Sequence, residues 1–241
     1  MSFTAIRGLI ERRILANYRI EPTAVARILP APFRPKLAGG YAIGGICLIR
    51  LSNMRPSWLP LPWGLRSENA AHRIAVEWDE AGQVRSGVFI PRRHTDSRWN
   101  VWAGGAVFPV VQRLAKFVVA ESVHEVSVDV SSAADGTAIH VSGSVVSELP
   151  NGSVFENLQT ASEFFRGGAL GYSADKSGKR YHGIELACDC WSIEALKVQR
   201  MTSSYFEDVR LFPAGSVQFD CALLMRGIGH SWHDRGTVCC G

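Results

Sequence analysis

The sequence has little of what marks a secreted, membrane-spanning or nucleic-acid-binding protein. Its 26 Lys and Arg and 22 Asp and Glu give a net charge of +4. The basic residues form no long run, so the charge balance favours neither a nucleic acid nor a membrane surface as a partner. No apolar stretch approaches the length of a membrane span, and Met1 to Arg13 lacks the apolar core of a signal peptide. We therefore expect a soluble, cytoplasmic protein.

Several short functional motifs are also missing. Gly104-Gly105 and Gly167-Gly168 lack the spacing and the Lys-Ser/Thr pair of a phosphate-binding loop, and there is no Gly-x-Ser-x-Gly elbow. The six cysteines are irregularly spaced, which favours free or buried thiols over a disulfide framework in a chain of this length. His230, His233 and Cys239-Cys240 are potential metal ligands, but no second paired motif accompanies them, so we predict neither a metal nor another cofactor.

What is present is the composition of an ordinary globular protein. Hydrophobic residues make up 46% of the 241 residues and charged residues 20%, which is too apolar for a disordered chain. A chain of this length can bury a sizeable core, and all-β proteins of this size are often one domain. Because no repeat, linker or low-complexity segment appears, we predict a single domain over residues 1–241.

Apolar residues alternate with polar ones along most of the chain, which is typical of β-strands. Residues 72–78 and 84–90 flank Asp79–Gln83 as a hairpin in which Gly82 can take a positive φ. Short helices are expected after Glu21-Pro22, from Asp96 or Ser97 through Trp99 and Trp102, and within 153–165. So many strands need their edges covered, which favours a closed or nearly closed barrel with helices at its rim. The other predicted strands are 14–20, 41–51, 112–119, 125–131, 138–146, 181–186, 190–198 and 217–226.

The most informative segment runs from Ser67 to His94. It places carboxylate, imidazole and guanidinium groups in strands otherwise suited to burial, and buried polar groups must be paired or functional. Successive side chains of a strand point to opposite faces, so Arg73 or His72 enters the interior, but not both. This segment predicts an anion-binding pocket.

The order of these motifs resembles a large bacterial family of uncharacterised proteins that is itself related to acetoacetate decarboxylase. The resemblance covers nearly the whole chain and favours Arg73 over His72 as the inward residue. It implies a mainly β (α+β), acetoacetate-decarboxylase-like fold: a closed or double-layered antiparallel β-barrel with a few short rim helices and a central polar cavity. A homo-oligomer is a further expectation from the resemblance alone. The motifs are Glu21-Pro22, Leu29-Pro30, Ser67-Glu68-Asn69, the hairpin, Phe89-Ile90-Pro91-Arg92-Arg93, Gly105 to Pro109, Phe206-Glu207-Asp208 and Phe219-Asp220-Cys221.

One departure from the decarboxylase pattern concerns its Schiff-base lysine. In that family the lysine directly follows a Tyr-Pro or Phe-Pro step, whereas here Phe108-Pro109 is followed by Val110-Val111. An imine-forming nucleophile must be a primary amine, so imine-based decarboxylation is predicted to be absent. Lys116 is a poor replacement because six residues of extended strand place it roughly 20 Å further along.

Five residues are candidates for the ligand site. Glu68 lies nearest to the pocket glutamate of the decarboxylases, and His94 can change charge near neutral pH, so these two are the predicted catalytic residues. Arg73, Arg92 and Asn100 are predicted to bind substrate, with the planar guanidinium groups clamping a carboxylate. Arg92 and Arg93 precede the helix at Asp96, where donors converge and can hold an anion, and of the two Arg92 is preferred. The alternatives are a structural pair of Arg73 with Glu68 or Glu77, a solvated arginine and a structural histidine.

The sequence leaves three functions open. The first is a lyase-like or hydratase-like enzyme acting on a small oxo acid without a Schiff-base lysine. The second is a non-catalytic barrel that binds a small organic acid or apolar ligand, and the third is a structural or partner-binding protein with an interface at the loop carrying Trp58 and Trp63.

Overall fold

Fourteen strands and two helices make up the computed structural model, which describes residues 6–58, 64–101, 110–175, 178 and 180–239. The helices are α1 (Pro22–Ala26) and α2 (Leu158–Arg166), and residues 98–101 form a further helical turn. The strands are β1 (Ile6–Ile20), β2 (Arg34–Pro35), β3 (Leu37–Ala38), β4 (Tyr41–Pro56), β5 (Leu65–Glu80), β6 (Gln83–Thr95), β7 (Arg113–Leu114), β8 (Lys116–Glu121), β9 (Glu125–Ser132), β10 (Thr137–Val146), β11 (Leu170–Ala174), β12 (Arg180–Cys188), β13 (Glu194–Ser203) and β14 (Val217–Cys239).

Seven of these strands pair into a ring. Their order is β1, β4, β5, β6, β11, β12 and β14, and β14 pairs again with β1. The pairs are antiparallel except that of β6 with β11. β14 also pairs with β13, which continues through β10 and β9 to β8 as a second sheet. The long strand β14 therefore belongs to both layers.

Alternation along the ring strands creates two separate cores. Ile14, Ala16 and Tyr18 of β1 pack in an outer core against the second sheet, which contributes valines such as Val128. Leu15, between them, packs in an inner core within the ring. The two-residue period of a strand thus lets one sequence of apolar residues serve both cores.

The prediction of a mainly β protein with few short helices is confirmed. The hairpin is longer than predicted, and its turn is the pair Ala81-Gly82, both with positive φ (49° and 77°). The features missed include β11, the second half of β14, the short strands β2 and β3, and the first half of β1, where Arg12 and Arg13 obscure the apolar pattern. Trp63, Trp102 and Phe108-Pro109 lie outside the described residues.

No described helix is long and apolar enough to cross a membrane. α2 instead lies beside the ring and delivers Phe165 to its interior. Its first turn is fixed by a capping box in which the side chains of Asn157 and Thr160 each accept a hydrogen bond from the other residue's backbone N–H. This reciprocal capping satisfies backbone donors that a helix start would otherwise leave without partners.

Candidate functional site

The interior of the ring holds a cavity of about 480 Å³. This volume lies within the range of about 300–1,000 Å³ that is typical of small-molecule sites. Residues that point inward from β1, β4, β5, β6, β12 and β14 form its wall, together with α2 and the segment around Val110. The ring therefore encloses a space large enough for a ligand.

The charge of the cavity wall is of one sign. Four guanidinium groups line it, those of Arg13, Arg55, Arg73 and Arg93, and no described lining residue is an aspartate or glutamate. Within the described part of the chain, none of the four has a carboxylate within salt-bridge distance. The described part of the wall is therefore positively charged and holds no counter-ion of its own.

Arg73 is the most deeply placed of these groups and is only 6% exposed. It donates a hydrogen bond to Asn17 Oδ1, and its guanidinium carbon lies 4.9 Å from the ring centroid of Phe165, while its Nε has no partner. Burial lowers the pKa of Arg73 to about 10, so it still carries its charge at neutral pH. Gly45, its partner on β4, leaves no space for a side chain, because a Cβ there would lie 2.5 Å from the carbonyl oxygen of Ala16 on β1.

Arg93 and Arg13 reach the same cavity from other strands. Arg93 Nε donates to Ser173 Oγ at 2.7 Å, and burial lowers the pKa of Arg93 to about 10. Arg13 Nε donates to Cys47 Sγ at 3.4 Å, and its guanidinium carbon lies 5.8 Å from the ring centroid of Trp191. Neutral sulfur and hydroxyl groups do not neutralise either cation.

His94 borders the cavity and is oriented by a carboxylate from the second sheet. Its Nε2 lies 3.0 Å from Asp135 Oδ2, whereas its Nδ1 is buried without a partner. Burial lowers the pKa of His94, although Asp135 opposes this shift. A neutral imidazole that donates Nε2–H to Asp135 leaves Nδ1 as a free proton acceptor.

Asn100 belongs to a polar group on the cavity wall. Its Nδ2 donates to Ser67 Oγ at 3.2 Å, and Asn69 Nδ2 donates to the same oxygen at 2.9 Å. All three side chains line the cavity. The helical turn at 98–101 positions Asn100, whose backbone N–H is bound by Ser97 Oγ at 3.2 Å.

Glu68 and Arg92 lie on the other face of the ring wall and are not among the described lining residues. Glu68 accepts hydrogen bonds from Arg12 at 2.6 Å and Arg50 at 2.5 Å, and both arginines also pair with Glu121. Arg92 lies 5.0 Å from the ring centroid of Tyr205, in the outer layer. The roles predicted for these two residues thus stay predictions without a contact to the cavity.

The structure brings together Arg73, His94 and Asn100 of the five candidates, and it adds Arg13, Arg55 and Arg93 to the wall. Alternation with the inward Leu15 could have identified Arg13. Alternation could not have identified Arg93, because a register shift between β5 and β6 near His72 breaks the alternation of β6 there. Such a bulge re-aims side chains without a clear sequence signal.

None of the described lining residues is a lysine, and Val110, which follows the Phe-Pro step, is buried at the cavity. Lys116 is exposed on β8. Among the described residues, no cluster of three or more histidine, cysteine, aspartate or glutamate side chains could hold a metal ion. Of the terminal candidates, His230 is buried beside Trp232, and Cys240 lies outside the described part of the chain.

The sequence matches a protein-family model over most of its length. The sequence model of the DUF2071 family, described as an uncharacterized conserved protein, matches residues 10–219. The chain belongs to the DUF2071 family. No curated protein matches this DUF2071 chain in sequence.

Solved structures share the fold of this DUF2071 protein at low sequence identity. Acetoacetate decarboxylase from Legionella pneumophila superposes with a TM-score of 0.62 at 9% identity, covering 97% of this chain and 86% of the decarboxylase. The enduracididine biosynthesis enzyme MppR in complex with pyruvate gives 0.60 at 12% identity, with 98% and 90% coverage. An acetoacetate decarboxylase-like enzyme from Sphingomonas wittichii RW1 gives 0.59 at 14% identity, with 98% and 93% coverage. The predicted acetoacetate-decarboxylase-like fold is confirmed.

Proposed function

We propose that this protein binds a small organic acid, of the oxo-acid class, in the cavity of the ring. The observation that carries the proposal is the set of four lining guanidinium groups with no carboxylate among the described lining residues. A buried cation without a counter-ion is costly, and an anionic ligand removes that cost by pairing with it. The complex of the similarly folded MppR with pyruvate, an oxo acid, supports this ligand class.

In this proposal Arg73 and Arg93 bind the ligand carboxylate, and Asn100 contributes a hydrogen bond. Arg73 has an unpartnered Nε, so it can add a charge-assisted hydrogen bond to a carboxylate without giving up Asn17. Arg93 has only Ser173 as a side-chain partner in the described structure. Glu68 and Arg92 are assigned to the wall of the ring instead, because their partners lie in the outer layer.

The environment of His94 favours lyase-like or hydratase-like chemistry as the first candidate activity. Its unpartnered Nδ1 and the orientation by Asp135 suit a group that accepts a proton from a bound acid and returns it. A non-catalytic binding protein is the second candidate, because the described wall offers no amine nucleophile. Both candidates share the same ligand class.

Arg73→Gln is expected to weaken binding of pyruvate and acetoacetate by about 10- to 100-fold, because hydrogen bonds to charged groups contribute about 1.5–3 kcal/mol. The matched control is Arg92→Gln, which removes a guanidinium from the neighbouring β6 strand on the opposite face and should leave affinity unchanged. Isothermal titration calorimetry measures both variants. A ligand at a hundred times its dissociation constant should also stabilise the wild-type protein by about 2.7 kcal/mol in a thermal-shift panel of oxo and hydroxy acids.

Equal loss of affinity in the two variants would show that the binding site is not in the cavity. Wild-type protein that binds none of the acids in the panel would contradict the proposed function altogether.

Treatment of the protein with acetoacetate and sodium borohydride is expected to give no covalent adduct, since no described cavity residue is a primary amine. Intact-mass spectrometry before and after treatment makes the measurement, with an imine-forming acetoacetate decarboxylase as the positive control. A lysine-linked adduct on any peptide would contradict the expected imine-free site.

A further inference from the structure

The deepest cation of the cavity, Arg73, and its most exposed apolar residues lie at different levels along the ring axis. Strand register defines the levels: Arg73 pairs with Gly45 at one level, Ser67 with Leu51 further along, and Leu65 with Met54 beyond that. β1 and β14 join the last level, where Ile6 pairs with Pro56 and Trp232. Arg73 therefore lies at one end of the cavity, and most of the described lining residues at the other end are apolar.

Exposure identifies which end opens to solvent. Arg73 is 6% exposed, whereas Leu65 and Trp58, which line the opposite end, are 56% and 64% exposed. The mouth of the cavity is formed by Ile6, Met54, Pro56, Trp58, Leu65 and Trp232. Arg55 is the charged residue that lines this end within the described ranges, and its Nε has no partner.

The wall between the two ends is apolar on one side. Ile49 and Leu51 of β4 and Leu186 of β12 line the cavity between Arg73, its cationic floor, and the mouth. Ile49 and Leu51 pair with Asn69 and Ser67 of the polar group on β5, so the apolar side chains lie beside the polar ones. Arg73 and Leu65 are separated by about 26 Å of extended strand, at about 3.3 Å per residue. A three-carbon or four-carbon acid bound at the floor would leave this apolar wall uncovered.

We propose that the ligand is an amphiphilic acid whose carboxylate pairs with Arg73 and Arg93 while a medium-length aliphatic or aromatic tail lies along β4 towards the mouth. This inference rests on the proposed function and specifies its ligand class. Each methylene of the tail removed from water contributes about 0.8 kcal/mol, which corresponds to about a fourfold gain in affinity. The tail selects the ligand by length, and the floor selects it by charge.

Calorimetric titration of the wild-type protein with pyruvate, 2-oxohexanoate, 2-oxooctanoate and 2-oxodecanoate, all below their critical micelle concentrations, tests this inference. Affinity is expected to rise about fourfold per methylene until the tail reaches the mouth, and 1-decanol is expected to bind far more weakly than 2-oxodecanoate. Ile49, which pairs with Asn69 about 13 Å of strand from Arg73, lies within reach of an eight-carbon tail. Ile49→Thr should therefore weaken binding of 2-oxodecanoate several-fold and leave that of pyruvate unchanged. Ile139→Thr is the matched control, because Ile139 packs in the outer core instead.

The possible failures are distinguishable. Affinity that stays flat from pyruvate to 2-oxodecanoate would overturn the amphiphilic ligand and leave the proposed function intact. Binding of 1-decanol as tight as that of 2-oxodecanoate would overturn the role of the cationic floor. Absence of binding by acids of every length would overturn both the inference and the proposed function.

Discussion

Glu68→Ala is expected to lower the free energy of unfolding by about 3 kcal/mol. Glu68 is 9% exposed and Arg12 is 1% exposed, so the substitution leaves a deeply buried guanidinium with one carboxylate fewer. Removing one partner of a buried ion pair typically costs about 3–5 kcal/mol, and the retained pairing of Arg12 with Glu121 places this case at the lower end. Urea denaturation followed by tryptophan fluorescence measures the change.

An exposed ion pair in the same protein provides the control for Glu68→Ala. Arg66 and Glu11 join β5 to β1 in the same way as Glu68 and Arg12, but the side chain of Arg66 is 63% exposed. Glu11→Ala should therefore cost no more than about 1 kcal/mol. A loss for Glu68→Ala as small as that for Glu11→Ala would contradict the structural role of the ion cluster between the layers.

Acidification from pH 6.5 to pH 5 is expected to destabilise the protein steeply. Burial lowers the pKa of His72 to about 3 and that of His230 to about 4, and it also lowers the pKa of His94 and His182. Between pH 6.5 and pH 5 the unfolded chain binds protons that the folded protein does not. The contribution of these histidines to the free energy of unfolding is therefore fully present above pH 6.5 and is lost as the pH decreases. Each such histidine contributes a slope that approaches about 1.4 kcal/mol per pH unit.

His72→Phe is the variant that tests the acid prediction. The His72 ring lies 4.8 Å from that of Tyr205, so an aromatic replacement keeps the packing while it removes the titration. Urea unfolding at pH 7, 6 and 5 should show a shallower pH dependence for this variant than for the wild type. His140→Gln is the control, because His140 is paired with Asp129 at 2.7 Å on the surface of the second sheet. Parallel curves for the wild type and His72→Phe would contradict the assignment.

Local patterns of the sequence were sufficient for much of the fold. The hairpin around Gly82 was predictable because its signals, a tight turn between two segments of alternating polarity, lie in neighbouring residues. A closed or nearly closed barrel was also expected, but not which strands close it, since β1 pairs with β14 across almost the whole chain. Strand parity also could not choose between Arg73 and His72, because both are buried, one in each layer.

The sequence was sufficient to predict the chemistry of the candidate site, but not all of the residues that line it. A cationic pocket followed from guanidinium groups in apolar strands, and Arg73 and Asn100 line the cavity. Arg93 lines the cavity, whereas the preferred Arg92 is not among the described lining residues, and the bulge between β5 and β6 that decides this has no clear signal in the sequence. Glu68 attracted a functional interpretation because a buried carboxylate needs a partner, and its partners, Arg12 and Arg50, come from strands distant in sequence.

The sharing of β14 between two layers has a consequence for how this protein comes apart. Its residues Ala222 to Leu224 pair with β1 on one side and β13 on the other, so neither layer can lose this strand without opening the other. Melting should accordingly be a single concerted event instead of a peeling of sheets. Pairs of residues that are distant along the chain, such as Ile14 with Leu224, should also slow folding, because long loops must close before these contacts can form.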